Sequence, residues 1–333
     1  MLKDGYGREI TYMRVSVTDR CNLRCVYCMP QEGIAQTAHR EILTFDEIVQ
    51  IVGIGAEEGI SRIKITGGEP LVRKGIAALI GMLKAVPGIE QVTMTTNGVL
   101  LSHQMEELAK NGLDAVNISL DTLDETEYEK ITRCGNLKQV IEGMKRACSC
   151  PGLTVKINCV PLMEVKEAQY LKLAQFAYEQ GIRVRFIEMM PVGLGKKYKG
   201  RSQEEIRKIL EKEYGRSRIA EGCFGNGPAV YYQFEKRNGE IGFISAMSHS
   251  FCTSCNRIRL TAAGYLKTCL QYDTGVDLKH LLRTGASKEE VRDAFRKAVS
   301  KKPYCHQFTE TGKNVSTKKE ENIERKGMSE IGG

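Results

Sequence analysis

Three cysteines fall close together near the N-terminus, at Cys21, Cys25 and Cys28. The CxxxCxxC spacing offers three thiolates rather than four. A structural zinc site closes its sphere with four protein ligands, so a zinc reading needs a distant fourth ligand, and short Cys spacings often belong to such sites. The other reading is a 4Fe–4S cubane, in which three cysteines leave one iron open to a small molecule. Spacing alone leaves both standing. A second group occupies 252–269: Cys252 and Cys255, then Cys269, with Arg257, Ile258 and Arg259 in the interval.

Something must hold these groups in place. The chain has 333 residues, 41% of them hydrophobic, with a net charge of +8 and 12 cysteines. That length suits one large domain or two ordinary ones. No apolar run reaches the length of a membrane span, and the N-terminus lacks the apolar core of a signal peptide. A cytoplasmic, reducing setting is therefore expected, where clustered cysteines serve metal or redox chemistry rather than disulfides. The positive charge fits a small polyanionic substrate; neither a membrane nor nucleic acid is expected as a partner.

β-rich runs are predicted at Tyr12–Val17, Arg62–Thr66, Gln91–Thr95, Ala115–Leu120, Thr154–Cys159 and Arg183–Glu188. Amphipathic stretches lie between them: one opened by a Thr44/Glu47 capping box and running to about Gly59, then roughly Arg73–Ala85, Ser102–Asn111, Asn136–Ser149 and Lys166–Gln180. Six such alternations predict an α/β fold with a parallel sheet. The first choice is a partial, TIM-like (β/α)6 barrel, with a flat doubly wound sheet as the second. A helix over Ser202–Tyr214 and a β-like region over Ala229–Ser245 follow. A boundary near residue 220 separates a core over 5–220 from a smaller α+β region over 221–333 that closes the barrel mouth.

In parallel α/β folds the active site lies at the carboxyl ends of the strands. Those ends carry the first cysteine loop, Gly67-Gly68-Glu69-Pro70, Thr95-Thr96-Asn97-Gly98, Ser119-Leu120-Asp121 and Glu188-Met189-Met190. Gly67-Gly68 reads as a tight turn or as a place where a ligand approaches bare backbone. Ser119 is a cap or a contact, and Met190 is core filler or a contact. Val155 and Ile157 point away from Lys156. If Lys156 points into a barrel, it needs an anion.

CxxxCxxC after the first strand and Gly-Gly-Glu-Pro after the second resemble the radical S-adenosylmethionine (SAM) superfamily. Arg14 through Asn22, Cys28-Met29-Pro30, Arg185 through Gly193, the 251–260 stretch and the terminal Met328-Ser329-Glu330-Ile331-Gly332-Gly333 narrow the resemblance to the GTP 3′,8-cyclase family of molybdenum cofactor biosynthesis. The resemblance implies two 4Fe–4S clusters, one on Cys21, Cys25 and Cys28 and one on Cys252, Cys255 and Cys269. It implies SAM contacts from Tyr27, Gly68, Ser119 and Met190. GTP contacts are implied for Arg14, Lys64, Thr95, Lys156, Arg257, Ile258 and Arg259, and a catalytic part for Gly332 and Gly333. Lys64 departs from the arginine common in the family, keeping the charge but losing the fork. The implied reaction is abstraction of the ribose C3′ hydrogen of GTP by a 5′-deoxyadenosyl radical, followed by bond formation to C8. A low-potential electron donor and a pterin synthase that receives the product are implied partners, and a homodimer is expected by analogy. A peptide or sulfatase maturase with an auxiliary cluster, or a non-catalytic Fe–S or zinc module, are the alternatives. Cys134, Cys148, Cys150, Cys159, Cys223 and Cys305 show no three-ligand pattern and are expected to be ordinary thiols. On charge alone Lys313–Lys326 reads as a disordered tail, a reading the resemblance tells against.

Overall fold

The computed structural model describes residues 1–35, 37–222, 224–308 and 323–332. The six predicted strands are present: β1 (Tyr12–Ser16), β2 (Arg62–Thr66), β3 (Gln91–Thr96), β4 (Ala115–Ser119), β5 (Thr154–Cys159) and β6 (Arg183–Ile187). Each pairs in parallel with the next. Spatial order follows chain order, which selects the partial barrel; a doubly wound sheet reverses its order at a switch point.

Alternation along the strands makes the two faces. Met13, Val15, Ile63, Ile65, Val92, Met94, Val116, Ile118, Ile157 and Val184 are fully buried on the outer, helix-covered face. Each such side chain contributes about 1.5–3 kcal/mol of burial. Arg14, Lys64, Thr93, Asn117, Lys156 and Arg185 alternate with them and line the barrel interior.

The covering helices are α1 (Phe45–Glu57), α2 (Ile76–Lys84), α3 (Leu101–Lys110), α4 (Glu125–Thr132), α5 (Leu137–Cys148) and α6 (Glu167–Glu179). The Thr44 hydroxyl accepts from Glu47 N at 3.1 Å, and the Glu47 carboxylate accepts from Thr44 N at 2.7 Å, completing the capping box. The second helix starts later than expected. Pro70–Val72 forms a 3-10 turn, and Gly75, with φ of 78°, stands before α2. Helix α4 has no counterpart in the sequence reading.

Beyond β6 lie α7 (Gln203–Tyr214), β7 (Ser217–Ile219), β8 (Val230–Phe234), β9 (Glu240–Ile244), β10 (Arg257–Leu260), β11 (Tyr265–Lys267), β12 (Gly275–Asp277), α8 (Leu278–Arg283), α9 (Lys288–Ser300) and the short α10 (Met328–Ile331). The later strands extend the same sheet at both edges. β10 joins β1 in parallel and β9 joins β6 in parallel, giving the order β12-β11-β10-β1-β2-β3-β4-β5-β6-β9-β8-β7. Of the charged stretch read as a tail, residues 313–322 lie outside the described residues. Ile323 bridges to Tyr272, and Glu324 is buried. Among the described residues no helix is long and apolar enough to cross a membrane.

Candidate functional site

The first cysteine loop leaves β1 and is held through its backbone and by side chains around it. Arg24 N donates to Thr132 O at 3.1 Å and Val26 N to Ile131 O at 2.9 Å, so the C-terminal carbonyls of α4 seat the loop. Arg133 caps α4 in the left-handed region (φ 66°). Its guanidinium donates to Arg24 O at 3.1 Å and Met29 O at 3.0 Å, spanning the turn that carries Cys25 and Cys28. From the other side, Gly68 N donates to Thr18 O at 2.7 Å and Glu69 N to Arg20 O at 2.8 Å. A Cβ on Gly68 would stand 2.3 Å from Arg20 O. These glycines are required first by the approach of the cysteine loop itself, a reason the sequence reading did not give.

Side chains complete the frame. The Glu69 carboxylate accepts from Thr96 Oγ1 at 2.7 Å, Asn97 N at 2.6 Å and Leu71 N at 3.0 Å. Burial still pushes it up to about 7. Tyr27 donates to Asp121 Oδ2 at 2.6 Å, and Asp121 Oδ1 accepts from Val160 N at 2.7 Å. The loop is thus fastened to the ends of β3, β4 and β5. Leu23 N and the Asn97 amide point at the Cys21 sulfur. Desolvation deep in the fold raises the Cys21 thiol to about 11, Cys28 to about 12 and Cys25 well above its ordinary value.

The second trio sits on a different support. Cys252 and Cys255 bracket a 3-10 turn before β10, and Cys269 follows β11. Arg8, ion-paired to Asp4, donates to Cys252 O at 2.6 Å, Pro303 O at 2.7 Å and Tyr304 O at 2.8 Å. Burial alone would raise these thiols, but hydrogen bonds from His306 and Ser250 bring Cys252 down to about 6. The charges of Arg257 and Lys302 bring Cys255 to about 7. Cys305 lies against Cys252 as well, a neighbour the spacing did not reveal.

One cavity of about 960 Å³ reaches both trios. Its wall carries a ladder of cations set by strand register: Arg14 pairs with Lys64 on one side and Arg259 on the other, Lys156 pairs with Arg183, and Arg185 lies beside Asn158. Arg185 donates to Asn158 Oδ1 at 2.9 Å and to Asn117. Burial, then mutual repulsion, pulls Lys64 and Arg259 well below their ordinary values, and burial lowers Arg14. The carboxylates on the cavity wall, Glu69, Asp121 and Glu188, are all committed to hydrogen bonds with surrounding protein groups. Such a surface favours a polyanion.

Tyr27, Gly68, Ser119, Met190, Thr95, Arg14, Lys64, Lys156, Arg257, Arg259 and all six cysteines of the two trios line this one cavity. Ile258 does not. It pairs with Met13 and its side chain lies in the core, because alternate residues on β10 face opposite ways. Gly332 lies at the cavity edge, where its carbonyl accepts from Arg259 at 2.5 Å; Gly333 lies outside the described residues. The sequence reading placed Glu69 and Asp121 at the strand ends and Arg185 in a motif without giving them a role, and it did not single out Arg133. Asp121 and Arg185 had a readable signal, a charge on or just after a strand expected to be buried.

The residues fit the groups that CxxxCxxC implies. All three cysteines of each trio line the cavity, although among the described residues no three His, Cys, Asp or Glu side chains already converge on a single metal-ion position, and Asn97 and Leu23 supply the amide donors that tune a thiolate ligand at Cys21. Thr66, Thr268 and Ser329 also line the space, each with a buried hydroxyl that has no hydrogen-bond partner among the described residues.

Two family models match successive parts of the chain. The family model "Radical SAM superfamily" matches residues 15–177, and "Molybdenum Cofactor Synthesis C" matches residues 182–308. The chain is 44% identical over 332 residues to a GTP 3′,8-cyclase of Clostridium perfringens, covering 100% of both chains. It is 44% identical to that of Thermodesulfovibrio yellowstonii, covering 91% of this chain and 94% of the relative. Among solved structures, Streptococcus suis SuiB bound to precursor peptide SuiA superposes with a TM-score of 0.62 at 16% identity, over 89% of this chain and 66% of SuiB. SuiB bound to S-adenosylmethionine superposes with a TM-score of 0.59 at 17% identity, and there the chain spans 61% of SuiB. The likeness to SuiB is one of fold.

Proposed function

The chain belongs to the GTP 3′,8-cyclases of the radical SAM superfamily, and on that premise we propose how its own residues divide the work. The enzyme converts GTP to (8S)-3′,8-cyclo-7,8-dihydroguanosine 5′-triphosphate in molybdenum cofactor biosynthesis. A 4Fe–4S cluster with SAM supplies the radical that takes the hydrogen from ribose C3′.

Cys21, Cys25 and Cys28 hold that cluster. Gly68, Ser119, Met190 and the backbone at Tyr27 shape the adjoining SAM pocket. Cys252, Cys255 and Cys269 hold a second cluster, beside which the guanine is seated. Arg14, Lys64, Lys156, Arg257 and Arg259 neutralise the triphosphate, Arg185 extends their row, and Thr95 contacts the nucleotide. The backbone of Ile258 takes part while its side chain holds β10 to the core. Gly332 borders the reacting end, and Gly333 is assigned a catalytic part with it by the family resemblance. The barrel walls exclude water and fix the ribose, so that attack on C8 is effectively intramolecular. A low-potential reductant and a pterin synthase are its partners.

The observation that carries this division is the row of cations on one barrel face, between two cysteine trios on one cavity. Anaerobic reconstitution, reduction and incubation with GTP test it. Equal yields of 5′-deoxyadenosine and cyclised nucleotide are expected. Cleavage of SAM with GTP left unmodified overturns the reading.

A further inference from the structure

The segment from Ile323 to Gly332 runs from one trio to the other, and its near end is held by a buried charge pair. Lys267, at the end of β11 and just before Cys269, is 1% exposed and pairs with the Glu324 carboxylate, itself almost fully buried. Asp273 adds a second carboxylate at 3.2 Å from the same ammonium. Backbone contacts fix the register here: Glu324 N donates to Gln271 O at 2.7 Å, and Lys326 N donates to Glu324 Oε1 at 2.8 Å.

From there the chain crosses the site. A Cβ on Gly193 would stand 2.9 Å from Gly327 Cα. The Glu330 carboxylate accepts from Gly327 N at 2.8 Å, opening α10. Ser329 N–H points at the Cys28 sulfur. Gly332, at φ 79°, leaves no room for a Cβ against Ser16 (2.8 Å) or Thr66 (3.0 Å), and its carbonyl accepts from Arg259. Every contact beyond Gly327 depends on where the strap begins.

We propose that Lys267 and Glu324 are positioning residues that set the register of this strap and so place Gly332 at the barrel mouth. The proposal rests on the reading of Gly332 as part of the site. A buried ion pair adds little stability over an apolar pair of equal volume, and setting register is its best-attested use. The local sequence gives it that use. Arg325 and Lys326 follow Glu324 directly and Asn322 and Ile323 precede it, so a slip one way sets a cation against Lys267 and a slip the other way leaves its ammonium without the Glu324 carboxylate, and both are costly.

The test uses the full chain with Glu324→Gln, Lys267→Met and the double variant Lys267→Met/Glu324→Leu. Hydrogen exchange is read at residues 327–332 without GTP, and steady-state kinetics are read with it. Each single variant should speed exchange in the strap by ~10-fold or more and lower kcat by ~10-fold, with KM for GTP changed less than ~2-fold. Exchange in β1–β6 should not move, which controls for folding. The apolar double variant should keep both defects, because it restores packing but not register. If it regains wild-type exchange and kcat, the pair is merely structural and the proposal fails. Unchanged strap exchange in the single variants overturns it too. Faster exchange with unchanged kcat upholds the anchor and removes Gly332 from the catalytic machinery.

Discussion

The two cysteine trios face the same cavity, yet the fold treats their sulfurs in opposite ways. The first is framed by hydrogen bonds: α4 carbonyls, the Gly67-Gly68 turn and the Glu69 and Asp121 carboxylates hold the loop, and burial keeps its thiols protonated. The second is framed by charge, with Arg257, Lys302 and His306 drawing Cys252 and Cys255 toward the thiolate. Metal binding requires deprotonated ligands. A cluster entering the first trio must displace protons against burial, whereas Cys252 and Cys255 of the second are close to ready. Geometry is prepared at one end and electrostatics at the other.

Removing one sulfur from each trio gives the largest effect. Cys25→Ala should abolish SAM cleavage and cyclisation alike, by more than ~10³-fold, with loss of about one cluster of iron and sulfide. Cys252→Ala should lose a similar amount of iron but keep the first site, so that some 5′-deoxyadenosine still forms while cyclised product does not. Full iron content in Cys252→Ala would sink the second centre.

Alkylation of the metal-free protein sharpens the contrast. At pH 7.5, Cys252 and Cys255 lie above their values of about 6 and 7 and are mainly thiolate; Cys21 and Cys28 lie far below about 11 and 12 and are thiols. The second pair should react faster by ~10²–10³-fold, since the thiolate is the nucleophile and its lower basicity offsets part of the gain. Lowering the pH to 5 should slow both pairs without closing the gap, whereas raising it to 10 should narrow the gap as the Cys21 thiol begins to ionise. Equal rates at pH 7.5, read by mass spectrometry of the modified peptides, would contradict the electrostatic account.

Between the trios the cations act on affinity. Arg14→Ala should raise KM for GTP by ~10–100-fold, the scale of a charge-assisted contact. Lys64→Arg should stay within ~3-fold. Ile258→Val, one residue from two cavity arginines, should leave KM unchanged and cost about 0.5–1.5 kcal/mol of stability, because its side chain faces the core. A KM for Ile258→Val as high as that for Arg14→Ala would mean the register of β10 is wrong.

Much of this was legible beforehand. Alternation of Val155, Lys156 and Ile157 already put the ammonium alone on one face, and all six strands end within one residue of expectation. What was not legible is what long-range contacts decide. Helix α4 is short and polar: Asp124 caps it, Glu125 and Glu127 suit its first turn, and only Tyr128, Ile131 and Thr132 are buried, too little for a periodic signal. Its importance lies in where its last carbonyls point. Arg8, more than two hundred residues from Cys252, gave no local sign of bracing it; α8, six residues long with only Leu278 buried, is too short for a periodic signal, while α9, opened by a Ser287/Glu290 capping box, carried a legible one that the sequence reading did not use.

The braces carry the last and smallest test of the comparison. Each trio has an arginine from outside its loop gathering carbonyls, Arg24 doing so from within the first loop as well, but the two outside braces sit under different conditions. Arg8 is buried with Asp4, so Arg8→Met strands a buried carboxylate together with three carbonyls and should cost about 3–5 kcal/mol. Arg133 is half-exposed and sits at φ 66°. Arg133→Gly loses two hydrogen bonds but relieves a left-handed strain of about 1–2 kcal/mol, so the net loss should be near 1 kcal/mol. Denaturant unfolding of the metal-free protein measures both. The local consequences should also separate: Arg8→Met should alter alkylation of Cys252 and leave Cys28 alone, while Arg133→Gly should expose Cys25 and Cys28 and leave Cys252 alone. If Arg133→Gly proves the costlier change, the first loop depends on its side-chain clamp more than on the backbone frame, and the contrast drawn between the trios is reversed.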